Sequence, residues 1–139
     1  MEKVFEDEFM ELHSSIIDLC RELTRDQVDT IYAYCSIEGR SYSFNAFFTR
    51  QNKAVTMRGF DAPFETKRAF LRIGTEQVIK IDKVCKKHSR PTPTQIKMVY
   101  DVKTRRFTAD YQYQLLEHKT MGQVDYFMDW VREIDPTYQ

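Results

Sequence analysis

The sequence predicts an α+β fold in which an antiparallel sheet of four to five strands has helices packed on one face. Segments whose apolar residues recur every three or four positions alternate with segments of period two. Short polar turns join neighbouring strand segments, and such hairpins are antiparallel. The predicted order is α-β-β-(β)-α-β-β-α. No linker or repeat interrupts the 139 residues, so residues 1–139 are predicted to form a single domain.

The first helix is predicted over residues 3–23. Its apolar residues form one stripe: Phe5, Phe9, Leu12, Ile16, Leu19 and Leu23. Glu11, Asp18 and Glu22 fall beside or opposite this stripe. The helix therefore has an apolar side for the core and an acidic side for solvent.

Two alternating segments, residues 30–37 and 41–49, predict the first hairpin, and a weaker strand is expected near residues 54–57. The aliphatic and small residues of the first segment predict a face on the core. Tyr32 and Tyr34 alternate with them. These two tyrosines are therefore expected on the outward face of the sheet.

A long helix is predicted from about residue 61 to residue 88, followed by a second hairpin at 96–100 and 106–113. Gly74 lies in the middle of this helix, where glycine costs about 1 kcal/mol relative to alanine. Nothing in the sequence explains it. A final helix is predicted over residues 122–134.

The charge of the chain is balanced in number but segregated along the sequence. There are 21 basic and 21 acidic residues, and acidic ends flank a basic middle. The basic helix end contains Lys80, Lys83, Lys86, Lys87 and Arg90. Nucleic-acid binding requires a positive field, which the acidic flanks oppose, so no direct nucleic-acid partner is predicted.

Motifs for catalysis or cofactor binding are missing from the sequence. Neither a phosphate-binding glycine loop nor an H-E-x-x-H pair occurs. Cys85 and His88 have a metal-like spacing but lack a second ligand pair, so a buried thiol and a helix-end histidine are the simpler interpretation. Cys20 and His13 share a helical face, but Cys20 belongs to the apolar stripe. We predict no catalytic site, no metal and no cofactor, and a protein that is not an enzyme.

Composition also bears on location. The three cysteines, Cys20, Cys35 and Cys85, lie in apolar stretches, which favours free thiols in a reducing compartment. The acidic N-terminal residues do not resemble a signal peptide. No segment has the roughly 18 apolar residues of a membrane span. A cytoplasmic protein without a membrane partner is predicted.

Two acidic stripes are the candidate partner-binding surfaces. One stripe lies on the last helix and consists of Asp125, Asp129 and Glu133. The other lies on the first helix and consists of Glu11, Asp18 and Glu22. Such stripes are usually solvated faces; the alternative is an anionic docking surface for a basic partner. The outward Tyr32 and Tyr34 are candidate hot spots for the same purpose.

Two hairpin regions carry a resemblance to a known family. The first consists of Val28–Tyr34, the turn at Glu38-Gly39 and the aromatic strand Tyr42–Phe48. The second is Asp110-Tyr111-Gln112-Tyr113, preceded by Pro93-Thr94 and followed by a helix with Trp130. In these motifs and in the order of its elements, the chain resembles the YezG-like family of bacterial immunity proteins.

The resemblance implies a cytosolic immunity protein that binds and neutralises the C-terminal domain of a cognate toxin, a nuclease, as a monomer or in a 1:1 complex. At least one of the two acidic stripes would meet the toxin, and the tyrosines are further candidates for the contact. The chain departs from the family in its basic long helix and its net charge of zero, which leaves the identity of the toxin open. A generic adaptor or chaperone-like binding module is the alternative function.

Overall fold

The computed structural model describes residues 4–115 and 123–139. These ranges contain three helices and a five-stranded antiparallel sheet in the predicted order, so the α+β class and the order of elements are confirmed. The predicted first residues of the first and last helices, 3 and 122, lie outside the described residues. The elements are α1 (Phe5–Thr24), β1 (Thr30–Glu38), β2 (Ser41–Arg50), β3 (Lys53–Thr56), α2 (Phe64–Lys87), β4 (Gln95–Asp101), β5 (Phe107–Gln112) and α3 (Gln123–Ile134).

The strands lie in the order β3-β2-β1-β4-β5, so β1 is central and β3 and β5 are the edges. Ile31 is opposite Phe48 of β2 and Tyr100 of β4, and the next residue, Tyr32, is opposite Phe47. Because directly opposite residues point to the same side of a sheet, this register sorts the strand residues into two faces.

Helices α1 and α2 cover the face that carries Ile31, Ala33 and Cys35. Both helices are amphipathic, and their apolar sides join these strand residues in one core. Gly74 of α2 lies directly over Phe44 of β2: a Cβ atom at this position would be 2.1 Å from Cδ2 of the Phe44 ring. The glycine that local propensity disfavours is therefore required by the close approach of helix and sheet.

Helix α3 packs on the opposite face of the sheet, so the prediction that the helices share one face holds for α1 and α2 and is wrong for α3. The second face has its own buried cluster: Tyr34, Phe47, Phe127, Trp130 and Val131. The physical reason is that aromatic side chains occupy the centre of this face. Leaving them in water would forfeit a large hydrophobic contribution, and the apolar side of α3 covers them.

The C-terminal residues protect one edge of the sheet. The carboxylate of Asp135 accepts a hydrogen bond of 2.9 Å from the backbone N–H of Ala54 on β3. The hydroxyl groups of Thr56 and Tyr138 lie 2.6 Å apart, and Lys53 donates to Thr137 at 2.8 Å. The β3 edge is thus short and covered, as sheet edges commonly are in soluble proteins.

Candidate protein-binding surface

The structure separates the two predicted acidic stripes. Glu11, Asp18 and Glu22 are exposed on α1, whereas Asp125, Asp129 and Glu133 are exposed on α3. These helices cover opposite faces of the sheet. One flat partner surface therefore meets one stripe or the other, but not both.

Tyr34 is not available as a hot spot, contrary to the sequence-based prediction, and Tyr32 is partly buried. Only 1% of Tyr34 is exposed, and its ring lies 5.8 Å from that of Phe127. The ring of Tyr32 stacks on Phe47 at 4.5 Å and meets Trp130 edge-on at 5.6 Å. Burial raises the pKa of Tyr34 to about 12. Both tyrosines lie on the predicted face, but their role there is to hold α3.

The acidic side of α1 is longer than the sequence analysis indicated, because Asp7 extends it. At 100° per residue, Asp7, Glu11, Asp18 and Glu22 fall within about 60° of one another around the helix. All four are exposed. We call these four residues the α1 acidic face. It runs along most of the 20-residue helix.

A shallow groove separates the α1 acidic face from strand β5. It is lined by α1 residues that include Met10, Ser14 and Asp18, and by the rings of Tyr100 and Phe107. The guanidinium of Arg21 lies 5.6 Å from the centre of the Tyr100 ring. The groove therefore has an apolar floor, and its rim carries both Asp18 and Arg21, whose charged groups lie 3.9 Å apart.

His13 fixes α1 against β5. Its Nδ1 lies 2.7 Å from the carbonyl oxygen of Phe9, and its Nε2 lies 3.0 Å from the hydroxyl of Tyr111. A carbonyl only accepts, so Nδ1 carries the proton and Nε2 accepts from Tyr111. The imidazole is fully buried between the helix and the strand. Burial lowers the pKa of His13 because the charged ring would lose its solvation.

We expect this histidine to make stability depend on pH. Below about pH 6.5 the unfolded chain takes up a proton that the folded protein resists, so the free energy of unfolding falls as pH falls towards the lowered pKa. The slope is up to about 1.4 kcal/mol per pH unit. Urea titrations of the natural protein and of His13→Gln between pH 5 and pH 8 isolate this contribution. A difference between the two proteins that stays constant across that range contradicts the assignment.

Strand β5 is the second edge of the sheet, and it is open as far as residues 4–115 and 123–139 are concerned. The backbone N–H of Asp101 in β4 donates to the carbonyl oxygen of Arg106 at 2.9 Å. This bond identifies which residues of the two strands are hydrogen-bonded to each other. In an antiparallel pair every second residue bonds the neighbouring strand. The peptide groups of Phe107, Ala109 and Tyr111 therefore point away from β4. Among the described residues no further strand pairs with them.

The basic end of α2 is partly neutralised within the protein. Lys86 lies 2.9 Å from Asp82, and Lys87 lies 2.9 Å from Glu8 at the start of α1. The guanidinium of Arg90 stacks 4.9 Å from the centre of the Phe5 ring. Three of the five basic residues identified in the sequence thus join α2 and the segment after it to neighbouring structure.

Asp82 forms a polar cluster that the sequence analysis missed. It is 2% exposed and accepts hydrogen bonds from the Tyr42 hydroxyl (2.6 Å), the Lys86 ammonium (2.9 Å) and the Thr92 hydroxyl (2.9 Å). Burial alone would raise its pKa, but these hydrogen bonds outweigh burial and hold the pKa below its usual value. With its oxygens committed to three donors, the carboxylate joins β2, α2 and the segment leading to β4. It is not placed as a general base.

Replacing Asp82 with asparagine is expected to lower the free energy of unfolding by about 2–3 kcal/mol, because the amide nitrogen cannot accept from the three donors around this buried position. Urea denaturation at neutral pH measures the change. Glu76→Gln on the same helix is the matched control, since the ion pair of Glu76 with Arg72 at 3.0 Å is exposed. The control should change stability by less than about 0.5 kcal/mol. If both substitutions change the free energy of unfolding equally, the Asp82 cluster does not stabilise the fold as argued.

The three cysteines are buried free thiols. Burial raises the pKa of Cys35 to about 12, which disfavours the reactive thiolate. His88 lies 3.5 Å from the Glu8 carboxylate. Within residues 4–115 and 123–139, no three His, Cys, Asp or Glu side chains are grouped to hold a metal ion.

Comparison with known proteins assigns the chain to no family. No protein-family model matches the sequence, and no curated protein matches it. Among the described residues, no helix combines the length and the apolar character needed to cross a lipid bilayer.

Proposed function

We propose that this protein is a cytoplasmic immunity protein that binds and neutralises a cognate bacterial toxin, and that the α1 acidic face meets the toxin. The observation that carries the proposal is the position of this face: four exposed carboxylate residues on one narrow side of α1, beside an apolar groove and an open strand. The resemblance of the hairpin motifs to YezG-like immunity proteins supports the same function.

The proposed mechanism is electrostatic occlusion of a nuclease. A nuclease binds phosphate backbones through Lys and Arg. A row of carboxylates is complementary to such a surface, and the attraction accelerates encounter and disfavours partners of the wrong charge. Apolar groups at the centre of the contact then provide affinity. Met10 and Phe107 line the groove and would form these apolar contacts.

The α3 stripe is the less favourable surface. Each stripe has one arginine among its carboxylates, Arg132 on α3 and Arg21 beside Asp18 on α1, so charge alone does not separate them. The α3 stripe lies on the face remote from the groove. It therefore supplies a matched control for the α1 acidic face.

The test is co-expression with the C-terminal domain of the protein encoded directly upstream. Growth rescue and co-purification are the readouts. We expect Asp7→Lys/Glu11→Lys/Asp18→Lys to weaken affinity at least about a hundredfold, mostly through slower association. Asp125→Lys/Asp129→Lys/Glu133→Lys should bind within about threefold of the natural protein.

Two outcomes would contradict parts of the proposal. If the natural protein neither rescues growth nor co-purifies, the immunity function is wrong and the adaptor function replaces it. If it rescues growth and only the α3 triple variant loses affinity, the function stands and the assigned surface is wrong.

A further inference from the structure

We infer that the β5 edge is a docking strand, to which an extended basic segment of the partner adds as a sixth strand beside α1. This inference rests on the proposed function and specifies how the partner is held. The two edges of the sheet differ in how they are covered. The β3 edge is covered by Asp135, Thr137 and Tyr138, whereas β5 has no such cover among the described residues.

The open edge provides a row of backbone hydrogen-bonding groups. Phe107, Ala109 and Tyr111 each direct one N–H and one C=O outward, as follows from the register with β4. An extended peptide satisfies such groups by continuing the sheet, the recognition mode known as β-augmentation. Strand β5 is six residues long, enough to pair with a short peptide strand.

The surroundings of the edge select the side chains of the added strand. Alternate residues of that strand would face α1, since strand side chains have a period of two. On this side they meet Met10, Ser14, Asp18 and Arg21 along the groove, and the carboxylates of Asp7 and Glu11 lie next to it on the same helix. Lys and Arg suit the position, because their alkyl stems cover apolar surface while their charged ends reach carboxylates. The opposite side of β5 presents polar, exposed Thr108, Asp110 and Gln112.

Charge also selects a basic partner over a second copy of this chain. Antiparallel pairing of two β5 edges about a two-fold axis would keep the α1 helices of both copies on the same side of the joined sheet. Their acidic faces would then approach each other, and like charges in an interface are unfavourable. A basic segment meets the same carboxylates with attraction.

The experiment uses the full-length protein labelled with nitrogen-15 and two synthetic ten-residue peptides. One alternates Lys and Val, and the control alternates Glu and Val. With the Lys-Val peptide we expect the amide signals of Phe107, Ala109 and Tyr111 to shift and their hydrogen exchange to slow at least about tenfold. The Glu-Val peptide should leave them unchanged. No response of these amides up to millimolar Lys-Val peptide overturns the inference.

Ala109→Pro is the decisive variant. Proline removes the outward N–H of residue 109 and leaves the hydrogen bonds to β4 intact, since proline is tolerated at such edge positions. Affinity for the Lys-Val peptide should fall at least about tenfold. Ala109→Val retains the N–H and is the matched control, with affinity within about threefold. Equal binding by the two variants overturns the inference, and the exchange data on the unsubstituted protein decide it if the proline variant does not fold.

Two further results separate this inference from its alternatives. Concentration-dependent protection of the β5 amides without peptide would show that a second copy occupies the edge and would overturn the inference. Neutralisation of the upstream toxin domain by Ala109→Pro as well as by Ala109→Val would overturn strand addition while leaving the immunity function intact. Failure of the natural protein to neutralise that domain, with the peptide result positive, would overturn the immunity function alone.

Discussion

Replacing Trp130 with alanine is expected to release α3 from the sheet and to lower the free energy of unfolding by about 3–5 kcal/mol. The indole is 5% exposed, and its ring lies 5.2 Å from Phe47 and 5.6 Å from Tyr32, edge-on to both. Phe127 of α3 also meets Phe47, at 5.8 Å, but the indole is the ring that contacts both Phe47 and Tyr32 in the described ring pairs. Truncation therefore leaves a cavity between helix and sheet.

Hydrogen exchange along α3 and chemical denaturation measure this effect. The expected pattern is loss of protection in α3 with β1, β2 and the α1–α2 side retained, because the two faces have separate cores. Glu133→Ala on the same helix is exposed and should change stability by less than about 0.5 kcal/mol. Trp130 is the only tryptophan, so its emission in the natural protein reports docking directly. Unaltered α3 protection in Trp130→Ala would refute this packing.

Gly74→Ala is expected to destabilise the protein by about 3 kcal/mol, although alanine is the better helix former. In an exposed helix this substitution would stabilise by about 1 kcal/mol. Here the added methyl carbon would lie 2.1 Å from Cδ2, 2.3 Å from Cε2 and 2.7 Å from Cγ of Phe44. A ring in a packed core cannot move aside freely, so α2 must shift and the overpacking outweighs the gain in propensity.

A double-mutant cycle with Phe44→Ala tests the cause. If the clash with the ring is responsible, Gly74→Ala in the Phe44→Ala background should cost at least about 1.5 kcal/mol less than in the natural protein, because the methyl group then enters vacated space. If the effects of the two substitutions are additive, the clash with the Phe44 ring is not the cause of the destabilisation. Gly59→Ala is the control for a glycine whose Cβ meets nothing within 4 Å.

The sequence was sufficient to predict the elements of this fold because their periodicities are local properties. The alternation around Ile31, Ala33 and Cys35 predicted β1, and the structure buries all three residues completely. Gly74 shows where local reasoning fails. Its propensity is unfavourable within the helix, and the reason for its presence is a ring 30 residues earlier in the chain.

Which face of the sheet α3 covers could not be predicted from the sequence, for a related reason. An amphipathic helix requires a partner surface, but its pattern does not specify which side of a sheet supplies it. Tyr32 and Tyr34 have both an apolar ring and a polar end, so their position on the second face was predictable, whereas the burial of Tyr34 and the partial burial of Tyr32 were not.

The candidate site was predictable only in part. The exposure of Glu11, Asp18 and Glu22 followed from helical periodicity. Their position beside β5 depends on His13 and Tyr111, which are 98 residues apart in sequence. The Asp82 cluster likewise joins Tyr42, 40 residues earlier, to Thr92. Contacts at such separations are set by tertiary packing and leave no local pattern.

The covered β3 edge has a consequence for valency. A sheet with two open edges can be extended from both ends, and repeated addition then builds a fibre. With Asp135, Thr137 and Tyr138 bound along β3, this sheet has one direction of growth. A strand added at β5 would find no second acceptor on the far side. The protein would then bind a single partner and end the assembly there, with a stoichiometry fixed by the three residues that cover β3.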